Sequence, residues 1–308
     1  MLFFVILKKD KRLKMKDILM YFPEKIRNEL IKTKLDYLEE IRIRVNNPIF
    51  LKIGQEEIKL QCIVNTEDIL KILQKLCDNS IYTYQNQICN GYITIKGGHR
   101  IGITGNVVVK DGHVINISHI YSLNFRIARQ VFGCSKIAIP YILKINENSI
   151  YNTIIVSKPG KGKTTILRDL VRNLSNGIPE YNFKGVTVGM VDERGEIAAM
   201  YKGIPQNNVG ERTDVLDNIS KDLGMKMLVR SMSPKIIVAD EIGTMGDVEA
   251  IKYAVCSGVN GIFTAHGNSF KDILKNPILS KLFNMNIIER ILVLDDNRQI
   301  HLESKNSA

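Results

Sequence analysis

The sequence contains no tryptophan, and none of its apolar runs is long enough to cross a lipid bilayer. The longest run, residues 1–7, is far shorter than the roughly 20 residues that a membrane-spanning helix needs. It also precedes a basic cluster at residues 8–16, whereas a secretory signal places its positive residues first. Both features argue against a spanning or secreted chain, and we therefore expect a cytoplasmic protein.

Cysteine is scarce, and no two cysteines have the CxxC spacing. The five residues are Cys62, Cys77, Cys89, Cys134 and Cys256. An odd number without that spacing argues against both a disulfide framework and a zinc site. We expect ordinary buried thiols in a reducing compartment.

Positive charge is abundant by contrast. The net charge is +11, and most of it lies in the first 150 residues, including six lysines and arginines between Lys8 and Lys16. A basic amino-terminal half favours an anionic partner, either nucleic acid or a lipid headgroup surface. The alternative is that the lysines only keep the chain soluble. Because the segment from Met15 looks like a natural beginning, residues 1–14 are interpreted as a possible upstream extension.

Residues 15–145 have the pattern of a mixed α+β domain. Helical spacing surrounds Pro23, which suits a first helical turn. The segment "EIRIRV" alternates strictly between apolar and charged residues, as in a half-buried strand. Thr66 is predicted to cap a second helix. Two β-branched runs around Gly97 and Gly98 predict a hairpin.

Residues 146–308 differ, because short apolar runs there alternate with segments of helical periodicity. "TIIVS", "VTVGMV", "KIIVAD" and "GIFTAH" are typical of parallel strands buried on both faces. The predicted fold class for this half is α/β with a mostly parallel sheet. In such sheets ligands bind beyond the carboxyl ends of the strands, so the residues after each run carry the functional information.

The first of these strands is followed by a phosphate-binding loop of the form GxxxxGK[ST], in which Ser157 replaces the first glycine. The predicted nucleotide-binding residues are Ser157, Lys158, Pro159, Gly160, Lys161, Gly162, Lys163, Thr164 and Thr165. Lys163 is expected to reach the β- and γ-phosphates, and Thr164 to bind Mg²⁺. The loop's amides and the helix that follows would supply the positive environment.

The strand "KIIVA" ends in Asp240 and Glu241. Asp240 is placed to hold the magnesium, usually through water, and Glu241 to polarise the water that attacks the γ-phosphate. A GK[ST] match alone is weak evidence. Together with its strand, its helix and this acidic pair, it predicts a nucleotide site.

Two other strand ends carry polar residues whose role the residues alone leave open. Asp192, Glu193 and Glu196 follow "VTVGMV" and could form part of the site or a solvated loop. His266 follows "GIFTA" and could be a phosphate sensor or a structural histidine.

Together these segments resemble the family of stage III sporulation protein AA, ATPases of endospore-forming bacteria that are related to the type II and type IV secretion ATPases. The resemblance covers most of the chain and includes "EIRIRVNNPI", "GYITIKGGHRIGITG", "VDERGEIAA" and "TAHGNS". Its most specific part is the block "RTDVL…RSMSP…DEIG". The family usually begins its loop GPP, whereas this chain has Ser157, Lys158 and Pro159.

The resemblance implies a RecA-like P-loop ATPase core in residues 146–308, a smaller regulatory or oligomerisation domain before it, and ATP and Mg²⁺ as cofactors. It implies catalytic roles for Glu196 and His266 beside Glu241, since their segments look like the Asp and His boxes of secretion ATPases. Arg126 and Arg129 in "NFRIAR" look like arginines that approach the phosphates from the amino-terminal domain. They could instead be solvated arginines on an edge strand or a helix face.

The function that the resemblance implies is an ATP-hydrolysing motor of a secretion-like transenvelope complex in endospore formation. The chain would act as a homo-oligomer, a hexameric ring on the mother-cell side, docked on membrane-embedded sporulation proteins, with hydrolysis moving its two domains. One alternative is a nucleic-acid-stimulated RecA-like ATPase, although no aromatic and basic interleaving for base stacking stands out. Another is a nucleotide-binding scaffold without turnover, which the two acids of "ADE" argue against.

Overall fold

The computed structural model describes residues 17–303 and divides the chain into two compact units. The first unit comprises the residues up to Arg129 together with Tyr201–Gln206, and the second comprises Gln130–Met200 and the residues from Asn207 onward. The possible extension at residues 1–14 lies outside the described residues. The compact units divide the chain after Arg129, so residues 130–145 belong to the second unit. The domain boundary expected between residues 145 and 146 stays a prediction.

The first unit is built on a six-stranded antiparallel sheet in the order β3-β2-β1-β6-β5-β4. Its elements are α1 (Glu24–Lys32), β1 (Leu38–Arg44), β2 (Pro48–Ile53), β3 (Glu56–Ile63), α2 (Thr66–Leu76), α3 (Gln85–Cys89), β4 (Tyr92–Ile95), β5 (His99–Lys110) and β6 (His113–Arg126). As the alternation in "EIRIRV" predicts, Ile41 and Ile43 of β1 are buried while Arg42 is exposed. The predicted hairpin is confirmed, with Gly97 and Gly98 at positive φ in the turn between β4 and β5.

The core of the first unit is a single apolar cluster between the helices and one face of the sheet. Phe125 of β6 is fully buried, and its ring centroid lies 4.6 Å from that of Phe22. The buried apolar residues of α2 are Ile69, Ile72, Leu73 and Leu76. The predicted cap of α2 is wrong by one residue.

Asn65, rather than Thr66, caps α2. The Asn65 side chain accepts a hydrogen bond from the Asp68 amide at 2.8 Å, and the Asp68 carboxylate accepts one from the Asn65 amide at 3.0 Å. Asn65 has extended backbone angles, which the residue before a helix requires, and this reciprocal pair satisfies two amides that the helix leaves unpaired.

The second unit contains a seven-stranded sheet in the order β15-β12-β16-β17-β9-β18-β19, parallel except for the edge strand β19. Its elements begin with α4 (Ile139–Ile142), β7 (Leu143–Lys144), β8 (Ser149–Ile150), β9 (Thr153–Ser157), α5 (Lys163–Asn176), β10 (Gly177–Ile178), β11 (Phe183–Lys184) and β12 (Val188–Asp192). The short strands β13 (Met200–Tyr201) and β14 (Ile204–Pro205) come next in the chain, and β14 lies in the segment that belongs to the first unit. The second unit continues with β15 (Thr213–Asp217), α6 (Lys221–Met232), β16 (Ile236–Ala239), α7 (Met245–Cys256), β17 (Asn260–His266), α8 (Phe270–Lys275), α9 (Ser280–Asn284), β18 (Arg290–Leu294) and β19 (Ile300–Glu303). This arrangement confirms the predicted α/β class with a mostly parallel sheet.

Both faces of the parallel sheet are covered, which explains why its strands are continuous apolar runs. Ile155 of β9 belongs to the cluster beneath α5, whereas Ile154 and Val156 belong to the cluster beneath α6, α7, α8 and α9. Because β17 lies between β9 and β16, and β12 lies beside β16, the carboxyl ends of all four strands meet at one edge.

The segment Tyr201–Gln206 lies between two stretches of the second unit in the sequence, but it belongs to the first unit, where polar contacts hold it. Lys202 forms an ion pair with Asp78 at 2.7 Å, and the Gln206 side chain accepts a hydrogen bond from the Gly97 amide at 2.8 Å. Within residues 17–303, no helix combines the length and the apolar character that a bilayer crossing requires.

We expect Phe125→Ala to lower the free energy of unfolding of the first unit by about 3–5 kcal/mol, because truncation leaves a cavity beside Phe22 in a closed core. Urea unfolding followed by circular dichroism measures this loss. Tyr82→Ala is the matched control, since the Tyr82 side chain is 92% exposed and should cost little. Equal losses in the two variants would contradict the proposed core.

Candidate functional site

The predicted phosphate-binding loop lies between β9 and α5. Ser157 ends the strand, Lys158, Pro159 and Gly160 are exposed, and α5 begins at Lys163. Gly160 and Gly162 have φ angles of 75° and 105°, in the left-handed region where glycine is favoured. The Gly162 carbonyl accepts the first bond of α5, from the Ile166 amide at 3.0 Å. The loop therefore leads directly into the amino-terminal, positive end of a 14-residue helix.

The Lys163 ammonium is folded back onto its own loop. It donates hydrogen bonds to the carbonyl oxygens of Ser157 at 2.9 Å and Lys158 at 3.3 Å, and it lies 3.1 Å from Nδ1 of His266. Burial lowers the pKa of Lys163, and the charges of Asp240 and Glu241 oppose that shift. The cation is therefore held by neutral acceptors in a partly desolvated position.

Thr164 and Asp240, which are both predicted to bind Mg²⁺, are in direct contact. The Thr164 hydroxyl donates to Oδ2 of Asp240 at 2.6 Å, so one hydroxyl and one carboxylate oxygen adjoin the start of α5. Mg²⁺ prefers such oxygen ligands and usually takes few of them from protein, with water and phosphate oxygens completing its shell. The pair fits a magnesium ion bound together with a nucleotide.

Thr264, which the sequence reasoning missed, holds this arrangement in place. It is fully buried in β17, donates to Oδ1 of Asp240 and accepts a hydrogen bond from the Glu241 amide at 2.8 Å. A hydroxyl within the apolar run "GIFTAH" was the available signal, since a buried polar side chain needs partners. Thr264 fixes both members of the acidic pair from the neighbouring strand.

Glu241 combines an unusual backbone conformation with a fully engaged carboxylate. Its φ is 52°, in the left-handed region, which costs a non-glycine residue on the order of 1–3 kcal/mol. Oε1 lies 3.1 Å from Nε2 of His266, and Oε2 accepts a hydrogen bond from Arg194 at 2.6 Å. The strain and the contacts orient this side chain toward the ends of β12 and β17.

Asp192 anchors the loop after β12. The buried Asp192 carboxylate accepts hydrogen bonds from the amides of Glu196, Ile197 and Ala198 at 2.8–3.1 Å. Burial raises the pKa of Asp192, while these amides act in the opposite direction. Asp192 therefore shapes the loop, and the Glu196 side chain is exposed on it.

Arg168 of α5, a second residue that the sequence reasoning missed, supports the same loop. Its guanidinium donates to the carbonyl oxygens of Ile197 at 2.7 Å and Glu196 at 2.6 Å. Only the helical register brings it there, so no local motif could have indicated it. The loop after β12 is thus tied to the helix that follows the phosphate-binding loop.

A pocket lies at the carboxyl edge of the sheet. Its lining residues are Val191, Asp192, Glu193, Arg194, Glu196, Lys221, Asp240 and Glu241. The structure therefore brings Glu196, Asp240 and Glu241 together, and His266 and Lys163 join them through hydrogen bonds. Lys221 pairs with Glu193, which leaves Arg194 as the lining cation in contact with Glu241.

Lys158 and Lys161 of the loop contact a carboxylate from the turn between β18 and β19. Asp296 pairs with Lys158 at 2.9 Å and with Lys161 at 2.7 Å, and their hydrogen bonds lower the pKa of Asp296 to about 2. The Ser157 hydroxyl donates to the Lys158 carbonyl at 2.8 Å, and Thr165 lies in the first turn of α5. The contact of the predicted loop residues with nucleotide stays a prediction.

Arg126 and Arg129 belong to the first unit. Arg126 ends β6, a central strand, opposite Glu40 of β1. Arg129 donates to the Leu38 carbonyl at 2.8 Å and lies 3.9 Å from Glu39. Neither lies on an edge strand or a helix, but both are exposed, so the alternative of solvated arginines stays open. Their approach to a nucleotide stays a prediction.

Comparison with known proteins gives one family match and several relatives. The family model described as "Sporulation stage III, protein AA" matches residues 9–301. Stage III sporulation protein AA of Bacillus subtilis (strain 168) is 41% identical over 283 residues, which is 91% of each chain. An uncharacterised protein, ycf45 of Porphyra purpurea, is 32% identical over 60% of this chain and 29% of its own length.

Solved structures share the fold at low sequence identity. The ATPase DotB of Legionella pneumophila has a TM-score of 0.55 at 13% identity, over 86% of this chain and 75% of that one. The pilus retraction motor PilT with bound ADP has a TM-score of 0.56 at 14% identity, over 89% and 80%. The chain therefore has the RecA-like fold of these secretion and pilus ATPases, as predicted.

We expect Thr264→Val to lower the free energy of unfolding by about 1–3 kcal/mol, because the isosteric change leaves the Glu241 amide and one Asp240 oxygen without their partner. Thr264→Ser keeps the hydroxyl and should retain most of the stability. Denaturant unfolding of the two variants measures the difference. If valine and serine behave alike, the hydroxyl does not hold the acidic pair.

Proposed function

The chain belongs to the family of stage III sporulation protein AA, and from that premise we propose that it is an Mg²⁺-dependent ATPase that drives a secretion-like transenvelope complex in endospore formation. The observation that carries the proposal is the 2.6 Å contact between Thr164 and Asp240 beside the buried Lys163 and the strained Glu241. This contact joins the start of α5 to the end of β16, as a magnesium-assisted phosphate site requires.

Each element of the site has a separate role in this proposal. The loop from Ser157 to Thr165 would bind the phosphates through its amides, with Lys163 reaching the β- and γ-phosphates. Thr164 and Asp240 would hold Mg²⁺, which when bound neutralises the charge of the phosphate oxygens. Glu241 would orient the attacking water and accept its proton.

His266 and Glu196 complete the proposed machinery. His266 would position the Glu241 carboxylate, which it contacts at 3.1 Å, and would respond to phosphate because its other nitrogen contacts Lys163. Glu196 lines the same pocket, where a second carboxylate would orient water or metal-bound ligands. Arg126 and Arg129 would contribute guanidinium donors to the charge on the phosphates.

We further propose that the protein works as a ring-forming homo-oligomer, a hexamer, on the cytoplasmic mother-cell side, docked on membrane-embedded sporulation proteins. Two features support a motor. The chain has two compact units between which hydrolysis could drive movement, and PilT, which shares the fold, is named a retraction motor.

We expect Lys163→Ala to abolish both nucleotide binding and ATP hydrolysis, because it removes the buried cation of the loop. Glu241→Gln should lower turnover by at least about 100-fold and retain binding, because it removes only the proton acceptor. Phosphate release and equilibrium binding of ATP measure the two effects. Lys252→Ala and Glu249→Gln repeat the same changes at exposed positions of α7 and should leave both unchanged. Undiminished turnover in Lys163→Ala and Glu241→Gln would overturn the site assignment.

We also expect turnover to require Mg²⁺, and Asp240→Asn to raise the half-saturating Mg²⁺ concentration by at least about tenfold, since it removes a charged oxygen from the metal pair. A magnesium titration of the hydrolysis rate measures this shift. Asp217→Asn, at the end of the edge strand β15, is the matched control. Hydrolysis that persists in a chelator, or an equal shift in both variants, would count against this metal site.

A further inference from the structure

One hydrogen-bonded chain crosses the candidate site from the phosphate-binding loop to the loop after β12. Lys163 contacts Nδ1 of His266 at 3.1 Å, Nε2 of His266 contacts Glu241 at 3.1 Å, and Arg194 donates to Glu241 at 2.6 Å. The chain begins and ends with a cation. Glu241, the proposed proton acceptor, lies between His266 and Arg194.

The direction of each hydrogen bond follows from the groups involved. A lysine ammonium can only donate, so Nδ1 of His266 accepts, and Nε2 carries the proton that is donated to Oε1 of Glu241. Oε2 is bound by a guanidinium, which also can only donate. Each carboxylate oxygen is thus already hydrogen-bonded by protein, which reduces the capacity of Glu241 to accept a proton from water.

Of the bonds in this chain, the hydrogen bond from Arg194 to Glu241 is the one that a bound ligand can replace most easily. The Arg194 side chain is 65% exposed, whereas that of Glu241 is 28% exposed and held by its strained backbone and His266. An exposed ion pair stabilises by about 1 kcal/mol or less, so exchanging it costs little. The terminal phosphate group carries more charge than a carboxylate, so it is the stronger partner for a guanidinium.

The position of Arg194 allows that exchange. It lies on the loop anchored by Asp192 and lines the same pocket as Asp240, whose carboxylate contacts Thr164 at the phosphate-binding loop. The other lining cation, Lys221, is paired with Glu193 instead. Arg194 is therefore the pocket cation whose departure removes a hydrogen bond from the Glu241 carboxylate.

We propose that Arg194 is a sensor of the terminal phosphate. Its ion pair restrains Glu241, and its guanidinium moves from Glu241 to the γ-phosphate when a triphosphate binds. The transfer frees an oxygen of Glu241 for the attacking water, so the protein becomes competent for hydrolysis only when the γ-phosphate is present. The inference rests on the proposed ATPase function, because it requires a bound nucleoside triphosphate. A diphosphate lacks the group that draws Arg194 away.

The test is a double-mutant cycle on binding, which does not depend on hydrolysis. Affinities for a non-hydrolysable ATP analogue with Mg²⁺, and for ADP, are measured in the unmodified protein, Glu241→Gln, Arg194→Ala and the double variant. Glu241→Gln should bind the analogue about three- to fivefold more tightly, because Arg194 no longer has to leave an ion pair. Arg194→Ala should bind it at least about tenfold more weakly, with a smaller change for ADP.

The double variant distinguishes a sensor role of Arg194 from simple repulsion between Glu241 and the phosphates. If Arg194 is the sensor, Glu241→Gln gives no gain in the Arg194→Ala background. If the glutamate only repels the phosphates, the gain persists or grows there, because the arginine no longer neutralises it, and that result overturns the proposal.

Lys221→Ala removes the other lining cation and serves as the matched control, in which the gain from Glu241→Gln should remain. Because Arg194 is exposed, its variants should fold, and unchanged unfolding curves verify this. Arg194→Lys should restore only part of the affinity, since an ammonium lacks the two parallel donors. Absence of Lys163-dependent analogue binding would overturn the ATPase proposal and this one together, whereas normal binding with an uncoupled cycle would overturn this one alone.

Discussion

The candidate site depends on a single carboxylate, that of Asp240, which is bound by two threonines, one from a helix and one from a strand. Thr164 reaches it from the start of α5, and Thr264 reaches it from β17 while also fixing the Glu241 amide. These bonds join the phosphate-binding loop, the acidic pair and the strand that carries His266. The parallel order of the sheet makes this possible, because β17 separates β9 from β16 and places their carboxyl ends within reach of one side chain.

The electrostatics of the site follow from that arrangement. Burial disfavours the charge on Lys163, and the carboxylates of Asp240 and Glu241 favour it, so the cation is retained near the end of the sheet. The pocket itself is lined mainly by acids, which would repel the phosphates of a nucleotide. Within the proposed ATPase, a magnesium ion on Thr164 and Asp240 and the guanidinium of Arg194 are the charges that offset this repulsion.

Sequence patterns predicted the parallel sheet, the phosphate-binding loop and the meeting of Asp240 with Thr164, because each depends on local periodicity and on which strand ends are polar. The hydroxyl of Thr264 within an apolar run indicates a buried polar side chain but not its partners on the neighbouring strand. Arg168 leaves no local signal, because its partners lie on a distant loop. The cap of α2 was predicted at Thr66 because either residue has a capping side chain, and only the backbone angles of Asn65 decide between them. The roles of Arg126, Arg129 and Glu196 rest on resemblance and stay proposals.

The route of the chain after β12 links the site to the first unit. The loop that carries Arg194 and Glu196 is fixed at its start by Asp192 and Arg168, and it runs directly into Tyr201–Gln206, a segment that belongs to the first unit and is held there by Asp78. The chain therefore connects the two units through this segment as well as through the junction after Arg129. In the proposed motor, a change of partner at Arg194 occurs on a loop whose far end is bonded within the other unit. In that proposal, the polypeptide itself is a path along which hydrolysis at the sheet edge would move the first unit.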